Sequence, residues 1–306
     1  MQDFKGRDVI SIQDFGREEL LHVLGVAREM EGSPPGNLLA GKVLAALFFE
    51  PSTRTRLSFE AAMSLLGGSV IGFTDPNTTS MVKGESLSDS FRVLEGYCDV
   101  LVMRHPLEGS ARLAADSMET PVINAGDGAN QHPTQTFLDL YTVQKTKGRL
   151  DGLSVGFLGD LKYGRTVHSL SAALAHFDTE MYFISPPSLK MPAESLDDLT
   201  ERGIAYHETD DFFEVADRLD VLYCTRIQKE RFPDPIEYEK VRGVYKLSAA
   251  MLDKLRPDLR ILHPLPRVDE LDTSLDPTAN AVYFQQAHNG VPVRQALLAL
   301  LVGAVQ

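Results

Sequence analysis

Short unbroken apolar runs recur along the chain, and between them apolar residues fall every three or four positions. Val43 to Phe49, Ser69 to Phe73, Asp99 to Met103, Val122-Ile123, Leu153 to Leu158, Met181 to Ile184, Asp220 to Thr225 and Arg260 to Leu262 read as strands. Several are apolar at every position, the pattern of a parallel strand covered on both faces. The stretches between them read as helices. Asp14 can cap the first, with Leu20, Leu21, Leu24, Ala27 and Met30 inward and Ser33-Pro34-Pro35-Gly36 as its end. The second carries Leu57, Ala61 and Leu65 at intervals of four. Others are expected over 86–97, around Ala111, Leu113 and Ala114, from His132 through Phe137, Leu138 and Tyr141, and over 167–177, 192–203 and 210–216. Ser248 can cap one with Met251, Leu252 and Leu255. The last, Val291 to Ala304, has Val293, Ala296, Leu297, Leu300, Leu301 and Ala304 on one stripe.

Strands alternating with helices predict the α/β class with doubly wound parallel sheets. Gly148-Arg149-Leu150-Asp151-Gly152 interrupts the series, and 306 residues are enough for two cores. The expected domains are 1–148 and 149–289, joined by the long helix that opens at His132.

Candidate chemistry gathers where strands end. After the first strand, Glu50-Pro51-Ser52-Thr53-Arg54-Thr55 turns into a helix. Ser52 or Thr53 can cap that helix. Free N–H groups, the helix dipole, hydroxyls and Arg54 then converge on one point, which suits an anion such as phosphate. The glycines and lysine of a P-loop are absent. Arg104 follows a strand, where α/β folds place ligand contacts. Arg165 stands at a helix start. Arg226 and Gln228 alternate, so in an extended segment they share a side. Pro264 and Pro266 flank Leu265 and restrict a turn whose carbonyl groups can face a ligand. Asp75 to Glu85 is polar and aperiodic, a mobile loop carrying Ser80 and Lys83. The glycines at 156, 159 and 164 do not form a dinucleotide fingerprint, and no His, Cys and carboxylate set has metal-ligand spacing.

The net charge of −13 speaks against nucleic acid and, on average, repels any anion. The arginines and Lys83 at strand ends are therefore the local exception an anion site needs. Cys98 and Cys224, the two cysteines, sit in apolar runs and read as buried free thiols. No apolar run approaches the ~20 residues that cross a bilayer, and the start carries no apolar signal segment. The expected location is the cytoplasm.

Three stretches then occur in a telling order. Phe49-Glu50-Pro51-Ser52-Thr53-Arg54-Thr55-Arg56, His132-Pro133-Thr134-Gln135 and His263-Pro264-Leu265-Pro266-Arg267-Val268-Asp269-Glu270 resemble the three motifs of the aspartate/ornithine transcarbamoylase family. The likeness runs from end to end, and within the family it is to the aspartate-specific catalytic chains. It implies that helix 290–306 returns to the first domain, a carbamoyl-phosphate-binding domain, while 149–289 binds aspartate. The implied reaction moves the carbamoyl group of carbamoyl phosphate to the α-amine of aspartate, the committed step of de novo pyrimidine biosynthesis, with no cofactor and no metal.

By the resemblance, Ser52, Thr53, Arg54, Thr55 and Arg104 hold carbamoyl phosphate, Ser80 of the Lys83 loop also binds substrate, and Thr55, Arg104 and His132 stabilise the oxyanion. Gln135 contacts the carbamoyl NH2, and the carbonyls of Pro264 and Leu265 hold nitrogen. Arg165, Arg226 and Gln228 take the two carboxylates of aspartate, with Thr166 a further substrate-binding residue and Lys83 between the substrates. Glu50 is expected to pair with Arg165 or Arg231 when the domains close. The family also implies a homotrimer with active sites shared through the Lys83 loop. Regulatory chains or a dihydroorotase-like partner are further candidates. The rivals are a transcarbamoylase for ornithine or an acylated ornithine, and an inactive scaffold paralogue. His263-Pro264-Leu265-Pro266, where ornithine enzymes typically have a Cys, and the paired arginines of the second half oppose the first. The intact motifs oppose the second.

Overall fold

In β1 (Val43–Phe48) every residue from Leu44 to Phe48 is buried, as a strand without polar positions requires. A computed structural model describes residues 3–32, 36–128, 130–229, 232 and 234–306. β1 pairs in parallel with β2 (Ser69–Phe73) on one side and β3 (Val100–His105) on the other, and β3 pairs with β4 (Val122–Asp127). The sheet order is therefore β2-β1-β3-β4. A second parallel sheet contains β5 (Leu153–Leu158), β6 (Thr179–Ile184), β7 (Tyr206–Thr209), β8 (Val221–Cys224) and β9 (Arg260–Leu262) in the order β7-β6-β5-β8-β9. The helices are α1 (Arg17–Gly32), α2 (Arg54–Leu65), α3 (Leu87–Leu94), α4 (Ser110–Ser117), α5 (Pro133–Lys147), α6 (Arg165–Leu174), α7 (Ala193–Glu201), α8 (Phe212–Val215), α9 (Pro235–Val241) and α10 (Tyr283–Leu301).

The chain divides into two compact units, Met1–Tyr141 with Asn289–Gln306, and Thr142–His288. The first division falls inside α5 rather than at the glycines after it. In the first unit, Phe91, Leu101, Ala111, Ala114 and Val122 form a core on one face of the sheet. The Gly6 N–H donates to the Leu301 carbonyl at 2.9 Å and ties the chain start to the end of α10. In the second, Tyr182, Leu219, Leu222, Ile261 and Tyr283 belong to one core. Each large buried side chain of this kind stabilises by about 1.5–3 kcal/mol.

Several elements differ from their sequence expectation. α2 buries Thr55, Phe59, Ala62 and Met63, while Leu57 and Leu65 are 48% and 56% exposed. Two stripes of period near four were available, and the bulkier Phe59 and Met63 take the sheet side. Asp14 does not cap α1. It closes a capping box with Ser11 on a 3-10 turn, Ile12–Asp14, and Glu19 accepts the Gly16 N–H at the helix start instead. Ser248 leads into a 3-10 segment, Ala249–Lys254, without a side-chain cap bond. α10 begins at Tyr283, well before Val291, and carries Pro292 inside it. Its polar first turns and the proline disguise the start, but Gln286 and Asn289 are buried there. β7 and α9 were not anticipated. β7 is four residues at a sheet edge with exposed His207 and Glu208, and α9 opens on Pro235 behind an Asp234 cap. Of the two free cysteines, Cys224 is buried but Cys98 only half-buried.

Candidate active site

Both sheets change their direction of growth at one place, and ligand crevices of α/β sheets lie at the carboxyl ends of the strands there. In the first sheet it falls between β1 and β3, in the second between β5 and β8.

In the first unit, Arg104 lies on β3 opposite Phe48 of β1, and the Phe49 N–H donates to the Arg104 carbonyl at 2.9 Å. The end of β1 and the end of β3 are thus tied side by side, and α2 begins five residues beyond Phe49. Ser52 is half-buried, Thr53 and Arg54 are exposed, and Thr55 is buried. Thr53 stands at the N-cap but makes no side-chain cap bond. Its backbone is already helical, φ −88° and ψ −59°, whereas a capping hydroxyl needs an extended residue to reach the next turn. The first N–H groups of α2 are therefore not consumed by a cap. Partial burial and the like charge of Arg104 pull the Arg54 guanidinium below its usual range. Two cations held this close favour an anion between them.

Glu50 meets one of those cations. Arg104 Nε donates to Glu50 Oε1 at 2.6 Å. This contact lies within one unit; Arg231, one of the partners expected for Glu50 on closure, lies outside the described residues. β4 ends at Asp127, whose carboxylate accepts from Gly109, Asn124 and Gln131 at 2.8–3.1 Å. That brace fixes the loop leading to His132. The His132 carbonyl accepts the N–H groups of Gln135 and Thr136, with Pro133 at the first helical position, where its missing N–H costs nothing. His132 is buried and Gln135 half-buried. Ser80 and Lys83 begin and end an exposed 3-10 turn closed by Gly84 at φ 92°. Among the described residues, neither pairs with Arg54, Arg104 or His132.

In the second unit, Gly159 leaves β5 at φ 121°, and a Cβ there would stand 2.3 Å from the Thr225 carbonyl oxygen. Only glycine lets the loop after β5 lie so close to the loop after β8. Asp160, fully buried, joins the two: its N–H donates to Thr225 Oγ1 at 3.1 Å, and its carboxylate accepts from Tyr163 N at 3.0 Å and from Gln228 N at 3.4 Å. Burial pushes the Asp160 carboxyl up, against these bonds and the nearby Arg226 charge. Gln228 Nε2 also donates to the Tyr163 carbonyl at 3.3 Å. Arg165 and Thr166 open α6, half-buried, behind Gly164 with no side-chain cap. Arg226 and Gln228 leave β8, also half-buried.

Beside them, β9 runs into Pro264 and Leu265. Leu265 adopts φ 53°, unusual for a side-chain-bearing residue. Its N–H donates to His263 Nδ1 at 2.8 Å, while His263 Nε2 meets Glu270 Oε1 at 2.7 Å. An accepting Nδ1 carries no proton, so the ring is neutral and Nε2–H donates. Glu270 also accepts the N–H groups of Val268 and Asp269. Burial would raise its pKa, but the His263 bond and these amides hold it below the usual range.

The sheets thus bring Arg54, Thr55, Arg104 and His132 to one edge, and Arg165, Arg226, Gln228 and Leu265 to another. Asp139, whose Oδ1 accepts from Gln135 Nε2 at 2.8 Å, Asp160, Tyr163 and Glu270 were missed in the sequence, along with the part His263 plays. Each acts by holding another residue, and only their positions next to recognised motif residues could have drawn attention to them. Among the described residues, no three His, Cys, Asp or Glu side chains are grouped to hold a metal ion, and no helix is long and apolar enough to cross a membrane.

Comparison with known proteins adds to this geometry. Residues 7–145 match the family model "Aspartate/ornithine carbamoyltransferase, carbamoyl-P binding domain", and residues 151–301 match "Aspartate/ornithine carbamoyltransferase, Asp/Orn binding domain". The aspartate carbamoyltransferase catalytic subunit of Thermococcus onnurineus is 56% identical over 308 residues, covering 99% of each chain. The solved catalytic subunit of M. jannaschii aspartate transcarbamoylase superposes with a TM-score of 0.91 at 53% identity, covering 97% of this chain and 98% of that one. Aspartate transcarbamoylase from Trypanosoma cruzi, solved with carbamoyl aspartate and phosphate, superposes with a TM-score of 0.92 at 38% identity, covering 99% and 98%.

Proposed function

We infer the reaction from one premise: the chain belongs to the aspartate/ornithine carbamoyltransferase family. It transfers the carbamoyl group of carbamoyl phosphate to the α-amine of L-aspartate, giving N-carbamoyl-L-aspartate and phosphate, a step of pyrimidine biosynthesis. The observation that carries the reading is the cationic end of β1 and β3, where Arg54, Arg104 and the uncapped start of α2 converge in a chain of net charge −13.

In this reading the phosphate rests on the first amides of α2, with Ser52, Thr53, Arg54 and Thr55 as side-chain donors. Arg104 leaves Glu50 for the incoming anion. Glu50 is then available to Arg165 or Arg231. Arg165, Thr166, Arg226 and Gln228 take the two carboxylates of aspartate, because a guanidinium grips a carboxylate through two parallel bonds. The uncharged amine attacks the carbamoyl carbon, and charge builds on the carbonyl oxygen against Thr55, Arg104 and His132. Gln135 faces the carbamoyl NH2, and the carbonyls of Pro264 and Leu265 hold nitrogen. The new C–N bond forms, the C–O bond to phosphate breaks, and the amine proton leaves with the phosphate. No side chain becomes acylated, so positioning and fixed charge do the catalytic work.

Lys83 and Ser80 are exposed. That placement supports a site completed by the loop of a neighbouring copy in a cytoplasmic homotrimer.

The test is turnover of carbamoyl phosphate with aspartate and with ornithine, in the native chain and in Arg54→Ala. Aspartate alone should be carbamoylated. Arg54→Ala, a change at an exposed helix start, should lower the rate by about 100- to 1,000-fold and leave the fold intact. Ornithine turnover, or a variant keeping more than half of the activity, refutes the assignment.

A further inference from the structure

Gln135, which the reading above sets against the carbamoyl NH2, has its amide fixed from behind. Its Nε2 donates to Asp139 Oδ1 at 2.8 Å, one turn further along α5. A carboxylate only accepts hydrogen bonds. The Gln135 NH2 must therefore face Asp139, and its carbonyl oxygen must point elsewhere. That oxygen has no partner among the described residues.

Asp139 is fully buried, where a nearby cation favours a carboxylate over the neutral acid. Arg294 of α10 supplies one. It is 2% exposed, its guanidinium lies 4.9 Å from the centre of the Phe59 ring, and it interacts favourably with the Asp139 charge. Gly290 makes the space: a Cβ there would stand 2.1 Å from Arg294 Nη1.

We propose that Asp139 is a positioning residue that sets Gln135 to accept rather than donate, and that this makes the site select an acyl phosphate bearing an amino group over one bearing a methyl group. The inference rests on the placement of Gln135 proposed above. Carbamoyl and acetyl phosphate differ by NH2 against CH3 at nearly equal size. The amino group gives the Gln135 oxygen a donor. The methyl leaves a desolvated acceptor unsatisfied, a penalty equal to about 5- to 150-fold in affinity.

The experiment measures the affinity of the assembled enzyme for carbamoyl phosphate and, as competitor, acetyl phosphate. The variants are Gln135→Ala, Asp139→Asn, the two combined, and Asp139→Asn with Arg294→Met. The last removes both buried charges, so the comparison survives if Asp139→Asn alone does not fold. Asn at 139 both donates and accepts, so Gln135 can present either end. Asp139→Asn is expected to shrink the preference for carbamoyl phosphate by about tenfold, inside the range above. It should do so by weakening carbamoyl phosphate, and it should add nothing once Gln135 is Ala. Equal losses for both ligands, or an unchanged preference in the Asp139 variants while Gln135→Ala loses it, overturn the inference and leave the site reading standing. An unchanged preference in Gln135→Ala overturns the placement of Gln135, and the inference with it.

Discussion

His263 has both ring nitrogens and its main-chain N–H committed, to Leu265, Glu270 and Gln286. Burial holds its pKa below the usual 6.5, and the Glu270 bond opposes this only in part. In the unfolded chain the ring titrates near ~6.5. Below that value the unfolded chain binds the proton that the folded chain refuses. The stability from this group is therefore complete above about pH 6.5 and is lost as pH falls toward the depressed folded value, by up to about 1.4 kcal/mol per pH unit. Urea unfolding at about pH 7.5 and about pH 5.5 checks this, since a His263→Gln variant, which cannot titrate, should lose less on acidification than the native chain; an equal loss removes His263 from the account. The same residues show what a sequence displays at this scale. Arg54, Arg104 and His132 could be found because their types are costly at strand ends and suit an anion. Asp139, Asp160 and Glu270 look like ordinary solvated carboxylates until the fold buries them against the residues they hold.

At the scale of elements, the strands were legible because β1, β3, β5 and β8 are apolar at nearly every position, and only a sheet covered on both faces buries such runs. Helix faces were less so. Leu57, Ala61 and Leu65 have the right spacing for a buried stripe, yet the competing set with Phe59 and Met63 has the larger area to hide. The start of α10 escaped because its first turns are polar, and the fold buries Gln286 there against the His263 N–H. Loop junctions follow from single residues. Gly159→Ala puts a Cβ against the Thr225 carbonyl oxygen and an ordinary residue at φ 121°. It should cost about 1–3 kcal/mol for the backbone alone and displace the Arg226–Gln228 segment. Denaturant titration together with the KM for aspartate reads both effects. Native stability and native KM together would show that the two loops do not depend on this contact.

For the whole molecule, the exposure of Lys83 leads to a mixing experiment. Lys83→Gln and Arg54→Ala proteins, each inactive, are dissociated, combined and reassembled. If the Lys83 loop serves the next copy around a ring, a mixed trimer regains at most about one native site, since only one interface matches an intact loop to an intact Arg54. Mixed trimers confirmed by mass yet without activity would assign each site to a single chain. The path of the chain between its units has a consequence of another kind, because α5 leaves the first unit and α10 returns to it. On a ribosome, residues 1–141 emerge first but must wait for α10, which is made after residues 142–288. Arg294 over Phe59, and the Leu301 carbonyl that meets Gly6, are translated after the whole second unit. Thr142–His288 is unbroken in sequence and can close while α10 is still being made. The unit translated second is therefore the one able to finish first, and the unit translated first stays open along its α10 face until α10 has emerged.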